Sequence, residues 1–305
     1  MDDPVQLIST GRGGTDFQIN EAAVKLLEKE TRPVSVICVV GPYRTGKSYL
    51  LNRIKDKTAV AGAGSDGFAL GANVEAATKG IWMWIGDFFG DPARALILLD
   101  TEGLDDPDKG DSTHDMTLFT LSLMLSSVFV YNTKGTIDAK SLDGLRYAAE
   151  ISDYLSADSG DCDAAPGKNL AQHFPELIWA VRDHHLRLEI EGRAVTATEY
   201  LEFCLRMKKG TSARVAAYNA LREALRSFFP SRRCCIFPPP VNAPDKMLVL
   251  DRLLEADLEP AFVRAGNVFL DEVRKAKPKS IQGTPLNGRS FAFLAEQVTN
   301  VFSLW

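Results

Sequence analysis

The chain predicts an α/β fold, a mainly parallel sheet flanked by helices, and three features lead there. Short apolar runs rich in β-branched residues recur: VSVICVV at 34–40, ALILL at 95–99, SVFVY at 127–131, LIWAV at 177–181 and CCIF at 234–237. Helical segments lie between them, and the first run passes directly into G-x-x-x-x-G-K-S. Strands that are apolar throughout must be covered on both faces, and parallel strands need long crossovers, which helices supply.

In chain order, INEAAVKLLEKE (19–30) sets Ile19, Ala23, Leu26 and Leu27 on one side of a helix. YLLNRI, just after the glycine loop, continues as a helix. The Gly/Ala-rich stretch 59–78 reads as irregular and follows that loop directly, where mobility is useful. In KGIWMW, Ile81 and Met83 alternate with Trp82 and Trp84 as strand residues do. Residues 158–169, polar and rich in turn formers, read as a surface excursion. TATEYLEFCLRM opens a helix with Thr196 and Glu199 at capping-box spacing, and Met207 to Lys209 reads as its solvated end. PPPVNAP (238–244) is a stiff connector to a tail, from about Leu248, that reads as helices. All 305 residues are expected to form one large domain.

Composition narrows the chemistry. With 45% apolar residues a sizeable core is available, and a net charge of −5 gives no reason to expect a nucleic-acid surface. Any nucleotide site must therefore be a local concentration of positive groups. Five scattered cysteines, Cys38, Cys162, Cys204, Cys234 and Cys235, contain no C-x-x-C pair, which argues against a disulfide framework or a zinc site and for a cytoplasmic setting. With no leader, no apolar run near 18 residues and no prenylation box, no membrane contact is expected from this chain. Its apolar ending, VFSLW, predicts that further chain follows Trp305.

The strongest motif is Gly41 to Ser48, set between a strand and a helix. In that context backbone N–H groups face a β-phosphate, Lys47 reaches β and γ oxygens, and the Ser48 hydroxyl is a ligand for Mg²⁺. A glycine turn with a solvated lysine would leave both flanks unexplained. DTEG, from Asp100 to Gly103, ends the strand ALILL, where the aspartate can hold the Mg²⁺ shell and a glycine N–H can meet the γ-phosphate. Thr78 is either a switch threonine reaching Mg²⁺ or simply the start of a strand. No N-K-x-D guanine reader is present, but Asp183 leaves a strand end where its carboxylate can accept from guanine N1–H and N2–H₂. Arg182 beside it either packs on the base or holds a carboxylate, and an ordinary surface Arg–Asp pair is the competing reading. Candidate nucleotide-binding residues are thus Gly41, Pro42, Tyr43, Arg44, Thr45, Gly46, Lys47, Ser48 and Tyr49, then Asp100, Thr101, Glu102, Gly103 and Leu104, then Arg182 and Asp183. His184 and His185 lack acidic or cysteine neighbours at ligand spacing and read as surface or loop residues.

GPYRTGKSYLLNR, DGFALG, TKGIWMW, LLDTEGL, VFVYNTKGTID, IWAVRD, EYLEFCLRMKKGTS and FFPSRRC together resemble the guanylate-binding proteins, large GTPases of the dynamin superfamily, from about Val5 to Trp305. Atlastins share the loop arginine and the R-D pair but are less similar at TKGIWMW and at the glutamate of DTEG. The resemblance implies the GTPase domain of that family, a dynamin-type P-loop G domain without the helical region that normally follows. It implies Mg²⁺-dependent hydrolysis of GTP to GDP, in some members on to GMP, with turnover that rises when two GTPase domains form a homodimer. On that basis Arg44 is an arginine finger inside the P-loop, a device worth roughly 10³ to 10⁵ in rate. Lys47 and Thr78 join it as catalytic residues, and Glu102 orders the attacking water through a bridging water. Leu70, Gly71 and Ala72 match a segment near the phosphates and ribose, and Arg182 with Asp183 match the guanine-reading pair. A role in cell-autonomous defence or membrane remodelling is implied for the longer protein.

Three positions depart from the family pattern. Ala76 stands where a serine usually positions water, Ala77 stands where a histidine is common, and PPPVNAP lacks the basic residues of the usual guanine cap. Losing that hydroxyl removes a hydrogen bond to the nucleophile. The rival expectation is a nucleotide-gated interaction module that hydrolyses little; an ATP-using kinase has no support from DTEG.

Overall fold

The structure, a computed structural model, describes residues 3–11, 16–58, 67–70, 78–105, 112–148, 150, 174–247 and 249–303. The first half runs β1 Val5–Thr10, β2 Phe17–Ile19, α1 Glu21–Glu28, β3 Val34–Val40, α2 Lys47–Thr58, β4 Ile81–Phe88, β5 Asp91–Thr101, α3 Ser112–Leu125, β6 Val128–Lys134 and α4 Ala139–Asp143. The second runs β7 Glu176–Arg182, β8 Glu189–Ile190, β9 Arg193–Ala194, α5 Ala197–Cys204, α6 Ala213–Phe228, β10 Arg232–Ile236, α7 Pro244–Met247, α8 Pro260–Val273, β11 Ser280–Ile281, β12 Thr284–Pro285 and α9 Gly288–Ser303.

One sheet has the order β10-β7-β6-β3-β5-β4-β1-β2. The five apolar runs are its parallel part, with β3 between β5 and β6, and β7 between β6 and β10. β4, β1 and β2 extend it by antiparallel pairing. Alternate residues of β3 serve opposite layers, as the two-residue period of a strand requires. Val36, Cys38 and Val40 pack with Leu27, Phe119, Leu201, Phe228 and Phe291 from α1, α3, α5, α6 and α9. Ile37 and Val39 pack with Leu50 and Ile54 of α2 and with Phe262 and Phe269 of α8. Parallel strands end on a common edge, so the loops after β3, β5, β6 and β7 gather there, the place where such sheets bind ligands.

The mainly parallel, helix-covered fold is as expected, with local differences. Ile19 ends β2 instead of starting a helix; Asn20 caps α1 by accepting from the Ala22 N–H at 2.9 Å. The capping box is complete: Glu199 N–H donates to Thr196 Oγ1 at 3.2 Å and Thr196 N–H to Glu199 Oε2 at 2.7 Å. α5 stops at Cys204, so Met207 to Lys209 lies beyond the helix. The tail holds the hairpin β11–β12 between its helices. Residues 158–169 and most of 59–78 lie outside the described residues. Among those described, no helix is long and apolar enough to cross a membrane.

That hairpin closes the sheet edge remote from the glycine loop. Lys279 N–H donates to the Val34 carbonyl at 2.8 Å, and Val34 N–H donates to Leu286 at 2.9 Å. The Lys279 ammonium is buried with the sheet and donates to the Ser126 carbonyl at 2.9 Å. Burial pushes its pKa down to about 8, so the fold prefers the neutral amine. The resulting penalty is full below the folded pKa and disappears as pH rises towards the ordinary lysine value. Lys279→Met should therefore raise unfolding free energy by about 1–3 kcal/mol at neutral pH. Denaturant titrations should show that gain shrinking between about pH 8 and about pH 10.5.

Candidate functional site

The loop after β3 is shaped by backbone constraints. Gly41 has φ +154°, and a Cβ there would collide with the Asn132 carbonyl oxygen. Arg44 and Gly46 follow at φ +57° and +80°, so successive amides turn inward into an anion-binding concavity leading into α2. Thr45 Oγ1 donates to the Pro42 carbonyl at 2.8 Å, and Lys47 Nζ reaches the same oxygen at 3.2 Å, curling over the loop. Asn132, buried on β6, donates to the Thr45 carbonyl at 2.8 Å. Arg44 is exposed, its guanidinium carbon 5.1 Å from the Tyr43 ring centroid. Tyr49 is buried beneath, on α2.

DTEGL is bolted to this loop. Tyr43 N–H donates to the Leu104 carbonyl at 2.8 Å and Leu104 N–H to the Gly41 carbonyl at 3.1 Å. A Cβ on Gly103 would lie 2.7 Å from Tyr43 Cα, so only glycine permits that approach. Thr101 Oγ1 donates to the Val39 carbonyl at 2.9 Å, fixing the strand ends together.

Asp100 sits where the two motifs meet, fully buried. Its Oδ2 accepts from Ser48 Oγ at 2.7 Å and from Thr78 Oγ1 at 3.1 Å, while Oδ1 has no hydrogen-bond partner among the described residues. Burial raises its pKa to about 6, with Lys47 and the two hydroxyls pulling the other way. Two hydroxyls converging on a carboxylate with spare acceptor capacity make a hard-oxygen set that fits Mg²⁺, which favours one or two carboxylates plus phosphates. Among the described residues no group of three or more His, Cys, Asp or Glu could hold a metal by itself.

Glu102 is 2% exposed and points into the protein. Its Oε2 accepts from the Gly80 N–H at 3.0 Å and lies 3.3 Å from His114 Nε2, and the His114 ring stacks on Phe17 with centroids 5.2 Å apart. Glu102 N–H also donates to the Gly80 carbonyl at 2.9 Å, so the carboxylate fastens the peptide two residues after Thr78.

At the far side, Arg182 is buried among aromatic rings, its guanidinium carbon 5.1, 5.4 and 5.8 Å from Phe237, Phe262 and Tyr49. Nε and Nη1 lack hydrogen-bond partners among the described residues, and burial lowers its pKa to about 10. It backs the glycine loop, with Nη1 3.6 Å from the position of a Gly46 Cβ, and is buried, with no ion pair to a carboxylate among the described residues. Asp183 is half-buried at φ +53°, 3.4 Å from the Lys134 ammonium. His184 is buried, not a surface residue: its Nδ1–H donates to the Gly135 carbonyl at 2.7 Å. Leu70 is exposed; Gly71, Ala72, Ala76 and Ala77 lie outside the described residues.

Sequence reasoning missed four residues. Asn132 and Lys134 continue a strand that the apolar run ended too early, and a polar residue inside VFVYNTK was the available signal. His114 and His184 gave none, because their partners are remote in sequence.

Strand, glycine loop and helix, with an aspartate on the adjacent strand gripping the loop's serine, define a P-loop domain of the G-domain class. The family model described as "Guanylate-binding protein, N-terminal domain" matches residues 14–277. Human guanylate-binding protein 2 is 38% identical over 305 residues, covering 98% of this chain and 50% of that protein. Guanylate-binding protein 1 of Chlorocebus aethiops is 37% identical over 307 residues, 99% of this chain and 50% of its own length. Guanylate-binding protein 6 of Mus musculus is 37% identical over 291 residues, 94% and 46% respectively. The chain belongs to the guanylate-binding protein family and spans about half the length of these curated relatives.

The two loop glycines separate steric from conformational demands. Gly46→Ala adds only the cost of a positive φ, about 1–2 kcal/mol, since its Cβ finds ordinary contacts. Gly41→Ala adds a collision with the Asn132 backbone and should cost clearly more. Thermal unfolding should rank the variants in that order.

Proposed function

We propose that the chain is one GTPase domain spanning residues 1–305 that binds GTP with Mg²⁺ and hydrolyses it to GDP and phosphate, faster when two domains pair. The observation that carries this reading is Asp100, clasped by Ser48 and Thr78 beside the glycine loop. Family membership supports the choice of guanine nucleotide.

In this reading the amides of residues 41–48 bind the β-phosphate and Lys47 releases Pro42 to bridge β and γ oxygens. Ser48 and Thr78 would hold the metal, with Asp100 behind them, and Mg²⁺ would supply charge neutralisation for the phosphates. A water oxygen attacks the γ-phosphorus, the bond to the β–γ bridging oxygen breaks, and GDP leaves with the electron pair. Asp183 accepts from guanine N1–H and N2–H₂, a donor pair adenine does not offer. Arg182 acts from beneath, as a charged floor for the loop. Arg44, exposed and free of ion pairs among the described residues, swings onto the phosphates when a second domain docks.

Glu102 supports a second reading, a nucleotide-gated interaction module. Its carboxylate is committed to Gly80 and His114, and Ala76 brings no hydroxyl to the water. Glu102 then couples the segment after Thr78 to the DTEG loop and orders water only after rearrangement.

Multiple-turnover phosphate release from GTP and ATP, over a range of protein concentrations, separates the two. The hydrolase reading expects GTP-specific activity that climbs with concentration, and Arg44→Ala should lower it about 10³-fold with nucleotide affinity nearly unchanged. Tight GTP binding without release would favour the module, and an unaltered rate in Arg44→Ala would remove the finger.

A further inference from the structure

The rims of β6 and β7 are joined around Asp183 in a way the sequence did not advertise. Lys134 ends β6 directly opposite Arg182 on β7. Gly135, next in the chain, donates its N–H to the Arg182 carbonyl at 2.7 Å, and its own carbonyl accepts from His184 Nδ1 at 2.7 Å. Residues on both sides of Asp183 therefore grip one residue, Gly135, from its N–H and from its carbonyl, and the grip sets Lys134 beside the carboxylate. The ammonium lies 3.4 Å from Asp183 Oδ2, a long contact that leaves N–H donors unspent, and both side chains are solvent-accessible, at 53% and 28%.

An ammonium next to a carboxylate presents donor and acceptors side by side. The recognition edge of guanine is the complement: O6 accepts, while N1–H and N2–H₂ donate. Adenine carries an amino donor in place of O6 and would face the ammonium donor to donor. We propose that Lys134 is a specificity-determining residue that donates to guanine O6 while Asp183 accepts from N1–H and N2–H₂. The proposal rests on the guanine-reading role of Asp183 given above. It gives the domain a second discriminator against adenine, charged where the usual N-K-x-D reader is missing.

The test is calorimetric titration of the chain with GDP and with 6-thioguanosine diphosphate. Sulfur, a poor acceptor, replaces O6 in the latter, while N1–H and the amino group remain. Wild-type protein should prefer GDP by about tenfold, the value of one charge-assisted hydrogen bond. Lys134→Met should lose that preference by weakening GDP alone, and Lys134→Arg should keep it. A Lys134→Met protein that still prefers GDP, or that loses both ligands equally, overturns the proposal; equal loss would make Lys134 only the counter-charge of Asp183. Asp183→Ala should weaken both ligands. Unchanged GDP affinity in that variant would overturn the guanine-reading role itself, and the proposal with it, which separates the two failures.

Discussion

A carboxylate with no access to solvent sits at the centre of this domain. Asp100 ends the strand next to the glycine loop, and the sheet that positions it also removes its water. Two hydroxyls satisfy one oxygen, and the other has no partner among the described residues. Burial makes the charged form costly, which is why its pKa rises to about 6. A hard cation beside it would offset that cost, and no other arrangement of these oxygens accounts so simply for two hydroxyls from separate segments turning to the same atom.

The surrounding framework is tightly cross-linked around the glycine loop and exposed at Arg44. Gly41, Tyr43 and Leu104 exchange backbone hydrogen bonds, so the glycine loop and DTEGL move as one piece. Arg182, caged by three rings, adds a fixed positive charge under the same loop. Arg44 contrasts with it: exposed, in a left-handed backbone conformation, and lying over the ring of its neighbour Tyr43. Two arginines of one site thus have opposite environments, one suited to a static field and one to movement on assembly.

The parallel core was legible because strands buried on both faces have no polar alternation to obscure them; all five apolar runs became strands. The glycine loop was legible for a related reason, since Gly41 and Gly46 answer positive-φ demands of their own backbone that show in the sequence. What was hidden depends on remote partners. β2 is a three-residue edge strand and β1, between it and β4, pairs antiparallel on both sides, so neither stands out as a long apolar run, and Ile19 closes β2 although its spacing suits a helix. His184, read as a surface or loop residue, is in a loop but buried, and its hydrogen-bond partner, the Gly135 carbonyl, is 49 positions away. For Arg182 the residues left base packing, a held carboxylate and a surface pair with Asp183 all open, because its aromatic cage comes from Tyr49, Phe237 and Phe262, on three separate segments.

The ligand proposed for this edge of the sheet is a magnesium-bound guanosine triphosphate. Calorimetric titration with non-hydrolysable GTP and ATP analogues, each with Mg²⁺ and again with a chelator, asks this directly. The GTP analogue should bind far more tightly than the ATP analogue and should weaken sharply when the metal is withdrawn. Equal affinities for the two, or binding of the GTP analogue that ignores the chelator, would contradict it.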